Sequence, residues 1–233
     1  MSAIRGARER ARTEVTTAIK NEARRQLAQE GAAKLSLRAV ARELGMVSSA
    51  LYRYFPSRDD LLTALIVDAY DAVGVAAETA LADGRDGPGG LGPRDRWNAV
   101  CSAVRAWALA HPHEYALIYG SPVPGYTAPG DTIGPASRVG LTLIAIARDA
   151  SRADALAPPP LSGELRPEAA RIAADIAPDL PPAVAVALVA AWAQLFGLIS
   201  FEVFGQFNRM VEERDAFFAQ AASRLAEDVG LRG

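Results

Sequence analysis

Side chains suited to contacting a polyanion are concentrated between residues 48 and 58. The segment carries hydroxyl, phenol and guanidinium groups and one small methyl group: Ser48, Ser49, Ala50, Tyr52, Arg53, Tyr54 and Arg58. Groups of these types bond phosphate oxygens, contact thymine methyl groups and bind guanine edges. The segment therefore favours an interface with DNA.

A capped helix precedes this segment and positions it. Ser36 can cap a helix over residues 37–44, in which Leu37, Val40, Ala41 and Leu44 share one apolar face. Gly45 then supplies the positive φ that ends a helix sharply. The small Ala41 allows a second helix to approach closely.

A second short helix is expected over residues 48–54, with Ser48 or Ser49 as its cap. Leu51 and Phe55 face inward, and Pro56 ends the helix. Residues 57–60 then begin another helix as a capping box, with Arg58 placed to reach a phosphate. Two helices joined by a short turn that contains glycine form a helix-turn-helix, whose second helix lies in the DNA major groove.

The charge distribution agrees with a polyanion partner. The net charge is −2, but residues 1–60 hold 12 basic and 7 acidic residues, whereas residues 61–233 hold 13 and 20. The basic residues include an N-terminal arm with Arg5, Arg8, Arg10 and Arg12. The arm either contacts DNA, through the minor groove or the backbone, or is a solvated tail.

Three short segments carry a resemblance to a known family. LRAVARELG (37–45), LYRYFPSR (51–58) and the following Leu61 and Leu62 are similar to TetR/AcrR-family transcriptional repressors. The resemblance implies an all-α protein with a three-helix DNA-binding domain over residues 1–60. It also implies a larger helical domain over 61–233 that binds an effector and dimerises, with repression relieved by a small molecule.

The resemblance also assigns DNA contacts. Ser36 and Arg38 would hold the DNA backbone, whereas Ser48, Ser49 and Ala50 would face base edges. Tyr52 and Tyr54 would meet phosphates, and Arg58 stands where the family usually has a phosphate-binding lysine.

The composition independently favours helices throughout the chain. Ala, Leu, Arg and Glu dominate, and apolar residues recur with a helical period. The predicted helices span residues 8–30, 36–44, 48–54, 58–81, 94–110, 113–119, 136–152, 167–177, 181–205 and 208–229. Stretches rich in glycine and proline separate some of them, at residues 83–93, 120–135 and 157–167.

Aromatic residues in the C-terminal part are candidates for an effector site. The segment AWALAHPHEYALIYGSP resembles the C-terminal domain of a TetR subgroup. Six residues could line a cavity for a small apolar effector: Trp107, Tyr115, Tyr119, Tyr126, Trp192 and Phe196. The alternative for each of them is ordinary core packing.

The last two predicted helices indicate a homodimer. Residues 181–201 contain no charged side chain. The stretch is long enough to cross a membrane, but a helix that is apolar all round can also be buried in a protein or a subunit interface, and we favour the latter. Pairing residues 181–229 of two copies as a four-helix bundle would bury the apolar surface, and the resemblance implies the same. A two-fold dimer would suit a palindromic operator in double-stranded DNA.

Several classes of function find little support in the sequence. Cys101 is the single cysteine and there are two histidines, so we expect neither a disulfide framework nor a metal site. Catalytic motifs are absent, and we expect no enzyme; the N-terminus does not resemble a secretory signal, which favours the cytoplasm. Two alternatives remain: a helical protein-interaction module and an apolar-ligand-binding protein, both without a DNA role.

Overall fold

A computed structural model describes residues 2–86 and 90–232, with side chains described from Gly6 onward. These residues form ten α-helices, two short 3-10 helices and one isolated β-bridge between Leu156 and Leu231. The helices are α1 (Ser2–Glu30), α2 (Leu37–Glu43), α3 (Ser48–Leu51), α4 (Arg58–Asp86), α5 (Pro93–Ala110), α6 (Pro112–Tyr119), α7 (Ile133–Arg152), α8 (Arg166–Ile176), α9 (Pro182–Val203) and α10 (Arg214–Val229). The all-α prediction is confirmed.

Five helix boundaries differ from the predicted ones by three residues or more, one of them being the start of α7 at Ile133 instead of residue 136. α1 begins at Ser2, so the described part of the arginine-bearing arm is helical; the Arg5 side chain lies outside the description. α4 continues to Asp86 because Leu91 N donates to Gly84 O at 2.9 Å and satisfies a terminal carbonyl. α3 ends after one turn, and α10 begins later than predicted because Gly205 and Arg209 adopt positive φ.

The chain divides into two compact units. The first extends to Tyr70 and includes His111–Ile133, and the second comprises the other described residues. The core of the first unit joins α1 to α4 through Ile19, Val40, Leu51, Leu61 and Leu65, which are all at most 1% exposed. The predicted boundary after residue 60 divides a DNA-binding part of the chain from an effector-binding part. It is a division by function and stays a prediction.

In the second unit, α10 packs on α5 and α9, and α8 packs on α9. The buried indole of Trp97 donates to Ala222 O at 3.1 Å, which joins α5 to α10. Arg105 on α5 donates two hydrogen bonds of 2.7 Å to the buried carboxylate of Glu202 on α9. The charge at the end of the apolar helix α9 is thereby paired.

Candidate functional site

Helix α2 begins and ends as its sequence predicts. The Ala39 amide donates to Ser36 Oγ at 3.4 Å, which caps the N-terminus. At the other end Gly45 has φ of 64°, and the amides of Gly45 and Met46 donate to Arg42 O and Ala41 O. This pair of bonds satisfies two terminal carbonyls and turns the chain toward α3.

Helix α3 is a single turn held by one buried anchor. Leu51 is fully buried in the first unit's core, and Phe55 packs beside it. The chain continues from Tyr52 to Phe55 as turns, with Tyr54 N and Phe55 N both donating to Leu51 O. Val47 occupies the cap position and makes no side-chain cap bond, so the expectation that Ser48 or Ser49 caps α3 is wrong.

The side chains predicted to contact DNA lie mostly on the outer surface of this segment. Ser48, Ser49 and Arg53 are exposed, and Tyr52 is 41% exposed. Ala50 and Tyr54 are half-buried. Arg38, on α2, is also exposed, whereas Ser36 is half-buried by its capping role. Because Leu51 points into the core, its neighbours on the short helix point outward.

Arg58 is placed differently from the predicted phosphate contact. Its guanidinium donates to three main-chain carbonyls of the segment before α2: Ala32 at 2.8 Å, Leu35 at 3.2 Å and Ala33 at 3.3 Å. The side chain is 28% exposed and also lies 3.6 Å from the Asp59 carboxylate. Arg58 thus holds the start of α2 against the start of α4.

The N-terminus of α4 has the predicted side-chain cap. The Asp60 amide donates to Ser57 Oγ at 3.1 Å, and the Ser57 hydroxyl donates to Asp60 Oδ2 at 2.7 Å. The two acids of the first turn, Asp59 and Asp60, also complement the positive end of the helix dipole. The cap fixes the point at which the chain leaves the segment that carries α3.

Sequence reasoning missed one contact at this surface. The Arg12 guanidinium of α1 lies 5.8 Å from the ring centroid of Tyr54. Arg8 and Arg12 are exposed and four residues apart, so they share one face of α1. The run of arginines was visible in the sequence, but only the packing of α1 beside the turn after α3 shows which arginine contacts Tyr54.

Comparisons with known proteins cover both parts of the chain. Residues 19–65 match the family described as bacterial regulatory proteins, tetR family, and residues 97–225 match a tetracyclin repressor-like C-terminal domain. The HTH-type transcriptional regulators Rv1816 of Mycobacterium tuberculosis and Mb1846 of Mycobacterium bovis are each 44% identical over 214 residues, covering 87% of this chain and 86% of theirs. The chain belongs to the TetR family.

Solved structures agree with that assignment. The regulatory protein SCO4313 is 32% identical with a TM-score of 0.77, covering 94% of this chain and 98% of the other. A protein of unknown function from Rhodococcus sp. RHA1 shares the fold, with a TM-score of 0.69 and 23% identity over 94% of this chain and 95% of its own. This TetR-family chain is a transcriptional regulator, and such regulators bind DNA and form dimers.

The six predicted effector residues fall into two groups in this TetR-family fold. Tyr115, Tyr119 and Tyr126 belong to the first unit, whereas Trp107, Trp192 and Phe196 belong to the second. In the first unit the ring centroid of Tyr119 lies 5.2 Å from that of Tyr115 and 5.9 Å from that of Tyr70. Burial raises the pKa of the Tyr119 and Tyr70 phenols, so both stay protonated.

The residue 120–135 loop is attached to the first unit by Tyr126. Its phenol oxygen and Thr63 Oγ1 share a hydrogen bond of 2.9 Å. In the second unit the rings of Trp192 and Phe196 contact edge to face, with centroids 5.6 Å apart. Trp107 and Phe196 are buried there.

One cavity of the second unit has an apolar lining from three helices. Its volume is about 350 Å³, and its walls come from α7, α8 and α9. Trp192 is the predicted effector residue that lines it.

The outer surface of α9 and α10 carries aromatic side chains. Phe201 is 53% exposed, and Phe207 lies between Phe201 and Phe217 with centroid distances of 5.7 and 5.4 Å. Among the described residues, Pro182–Val203 is the one helix long and apolar enough to cross a membrane, by length and composition alone. Its buried residues face α5, α8 and α10, and its exposed ones are mostly apolar.

A charged network links three helices of the first unit. Asp68 on α4 accepts from Lys20 and Arg24 of α1 at 2.8 and 2.6 Å, and Arg24 also pairs with Glu114 of α6 at 3.1 Å. The four side chains are each less than a third exposed. Glu114 thus belongs to this ion-pair network of the first unit.

Proposed function

We propose that the protein is a homodimeric repressor that binds a palindromic DNA operator and leaves it when a small molecule binds. The observation that carries the proposal is the outward surface of α3 and of the turn that follows it, where exposed hydroxyl, phenol and guanidinium groups surround a buried Leu51. Such groups supply both phosphate and base-edge contacts. A DNA partner in turn places the protein in the cytoplasm.

The roles proposed at this surface differ from residue to residue. Ser48, Ser49 and Ala50 face base edges, and Tyr52 and Arg38 bind phosphates. Tyr54 is half-buried beside Arg12, so its phenol contributes at the margin of the interface. Arg58 supports the interface from behind by holding the main chain before α2.

The proposed dimer forms through residues 181–229. Exposed aromatic rings on α9 and α10 would leave an apolar surface in water if the chain stayed monomeric. A two-fold dimer buries this surface on both chains and presents two equivalent α3 helices, one from each chain. Half-sites spaced by about one helical turn, roughly 34 Å, would then be bound together.

Effector release requires a link between the effector domain and the DNA-binding segment. The Arg24–Glu114 pair and the Asp68 pairs provide contacts of α1 with α6 and α4. A ligand that favours another position of α6 would strain these pairs. Operator affinity would then fall by the ligand's differential affinity for the two states.

The test is a mobility-shift assay with DNA from upstream of the protein's own gene. Arg53→Ala, in the turn that follows α3, is expected to lower operator affinity by at least about fivefold, or 1 kcal/mol. Arg171→Ala, which removes an equally exposed arginine from α8, is the matched control and should bind as the parent protein does.

Two results would contradict the proposal. One is a folded dimer that gives no salt-sensitive, sequence-selective shift. The other is equal affinity of the Arg53→Ala and Arg171→Ala variants for the operator. Either result would favour a helical protein-interaction module or an apolar-ligand-binding protein without a DNA role.

A further inference from the structure

We infer that the cavity between α7, α8 and α9 binds an organic ammonium ion with an apolar body. The inference names the effector class and thus rests on the proposed function for its biological meaning, but the binding itself is independent of DNA. The cavity volume of about 350 Å³ suits a small molecule.

The walls of the cavity accept an apolar body. Aliphatic side chains from all three helices line it, including Leu141, Ile144, Ile176 and Leu188. Gly140 widens it, since a Cβ built at this position meets no other heavy atom within 4 Å. Any larger side chain at position 140 would therefore occupy space that the fold leaves open.

Trp192 supplies a flat aromatic wall. Its side chain is 38% exposed, and its ring is held by the buried Phe196 at 5.6 Å, edge to face. The negative face of an indole ring attracts organic cations as well as apolar groups. A neutral apolar ligand would use the same wall without the electrostatic gain.

The charge of the lining selects a cation. Asp175 is the one ionisable residue that lines the cavity within the described part of the chain. It lies in the last turn of α8, where the helix dipole is negative and the structure has no basic residue. An acid at this end is unfavourable for the helix alone, so both the carboxylate and the dipole favour a positive ligand.

The present partner of Asp175 can be replaced without leaving a charge unpaired. Arg171 Nη1 bonds Asp175 Oδ2 at 3.0 Å, but the other side of the same guanidinium makes two bonds to Glu168, at 3.1 and 2.5 Å. Arg171 would therefore keep Glu168 when an ammonium group displaces it from Asp175. Both the arginine and Asp175 are 61% exposed, so the existing pair is weak.

The test compares three molecules with the same body and different end groups. Isothermal titration calorimetry on the DNA-free protein uses 4-phenylbutylammonium, 4-phenylbutan-1-ol and 4-phenylbutyrate. We expect the ammonium ion to bind about fivefold more tightly than the alcohol, as one partly exposed ion pair allows, and the carboxylate to bind least. Equal binding of all three, or binding of none, would overturn the inference.

Two variants locate the binding. Asp175→Asn should bring the affinities for the ammonium ion and the alcohol within about twofold of each other, whereas Glu164→Gln, a charge loss before α8, should not. Gly140→Leu should weaken both ligands by at least about tenfold by filling the cavity. Gly134→Leu, on the same helix outside the lining, is its control.

The variants also separate this inference from the proposed function. Parent-like affinity of Gly140→Leu for 4-phenylbutylammonium would place the ligand elsewhere and overturn the inference. Operator binding is measured separately by mobility shift. A parent protein that shifts the operator but binds none of the three molecules refutes this site alone. A parent protein that binds the ammonium ion as expected but gives no operator shift refutes the DNA role alone.

Discussion

At the scale of single residues, Arg58 shows that a charged side chain beside a binding surface can act on the protein itself. Its guanidinium reaches main-chain carbonyls 23 and 26 residues earlier in the chain. Five fixed N–H donors allow one arginine to satisfy several carbonyls at once. A lysine at the same position has the charge but lacks this planar geometry.

Arg58→Lys is therefore expected to destabilise the fold. Loss of hydrogen bonds from a charged donor should lower the free energy of unfolding by about 1–3 kcal/mol. Urea unfolding followed by circular dichroism measures this, with Arg171→Lys on the exposed surface of α8 as control. Parent-like stability combined with weaker operator binding would instead support the phosphate contact that the sequence suggested.

At the scale of elements, α1 extends the basic surface beyond the helix-turn-helix. Its first turns carry the exposed Arg8 and Arg12, and Arg12 reaches the Tyr54 ring. A rigid helix holds these charges beside the recognition segment, which a mobile tail would not do. The helical arm therefore favours contacts with phosphates that flank the operator core.

The double variant Arg8→Ala/Arg12→Ala should reduce the salt dependence of DNA binding. Each phosphate contact contributes about 0.9 to the slope of log affinity against log salt, so the slope should fall by about 2. Fluorescence anisotropy across a potassium chloride series measures it, with Arg166→Ala/Arg171→Ala on α8 as control. An unchanged slope would mean that Arg8 and Arg12 face solvent and make no phosphate contacts.

Helices α4 and α7 are joined by ion pairs and by a close approach at a glycine. Arg138 on α7 binds Glu78 through two hydrogen bonds of 2.6 and 2.8 Å and Asp71 at 2.7 Å. Gly74 lies against it, and a Cβ there would be only 2.8 Å from Arg138 Cβ. The close approach and the ion pairs thus depend on a residue without a side chain.

The Glu78 pairing predicts a specific dependence of stability on pH. Hydrogen bonds from Arg138 hold the pKa of Glu78 below its ordinary value of 4.5. The ionised form is favoured by folding, so this stabilisation is present above pH 4.5 and is lost as the pH falls through the lowered pKa.

Glu78→Gln should accordingly be less stable at pH 7, by up to about 1 kcal/mol for this partly exposed pair. The difference from the parent should vanish at acidic pH. Thermal unfolding between about pH 7 and pH 3 tests this. A stability difference that persists unchanged at low pH would mean that packing, not charge, accounts for the effect.

At the scale of the whole molecule, the apolar surface of α9 and α10 is the interface of the proposed dimer. Phe201 and Phe217 are each more than 40% exposed, and Gly197 lies in the groove that they border. A side chain at Gly197 meets nothing within 4 Å in the single chain. A substitution there is therefore expected to disturb the proposed dimer without disturbing the fold of one copy.

Gly197→Glu is expected to yield folded monomers. The bulk and charge of a glutamate would be costly to bury in the proposed four-helix bundle. Sedimentation velocity should show a dimer for the parent protein and for the control Gly134→Glu, and a monomer for Gly197→Glu. Operator affinity should fall with the dimer. A Gly197→Glu variant that remains dimeric would place the interface on another surface.

Structural features that depend on residues close together in the sequence could be predicted from the sequence alone. The Ser36 cap, the left-handed Gly45, the Ser57–Asp60 cap and the inward Leu51 all involve contacts within a few positions along the chain. Helical periodicity and local hydrogen bonds act over the same range. The start and end of α2, the start of α4 and the inward face of α3 were therefore predictable, whereas the cap and the length of α3 were not.

Features that join distant segments required the folded chain. The partners of Arg58, the contact between Arg12 and Tyr54 and the pairing of Arg24 with Glu114 bring together residues far apart in sequence. The choice of Trp192 over five other aromatic residues for the α7–α8–α9 cavity belongs with them. Each depends on how helices pack, and packing is decided by the fit of whole surfaces that no local pattern encodes.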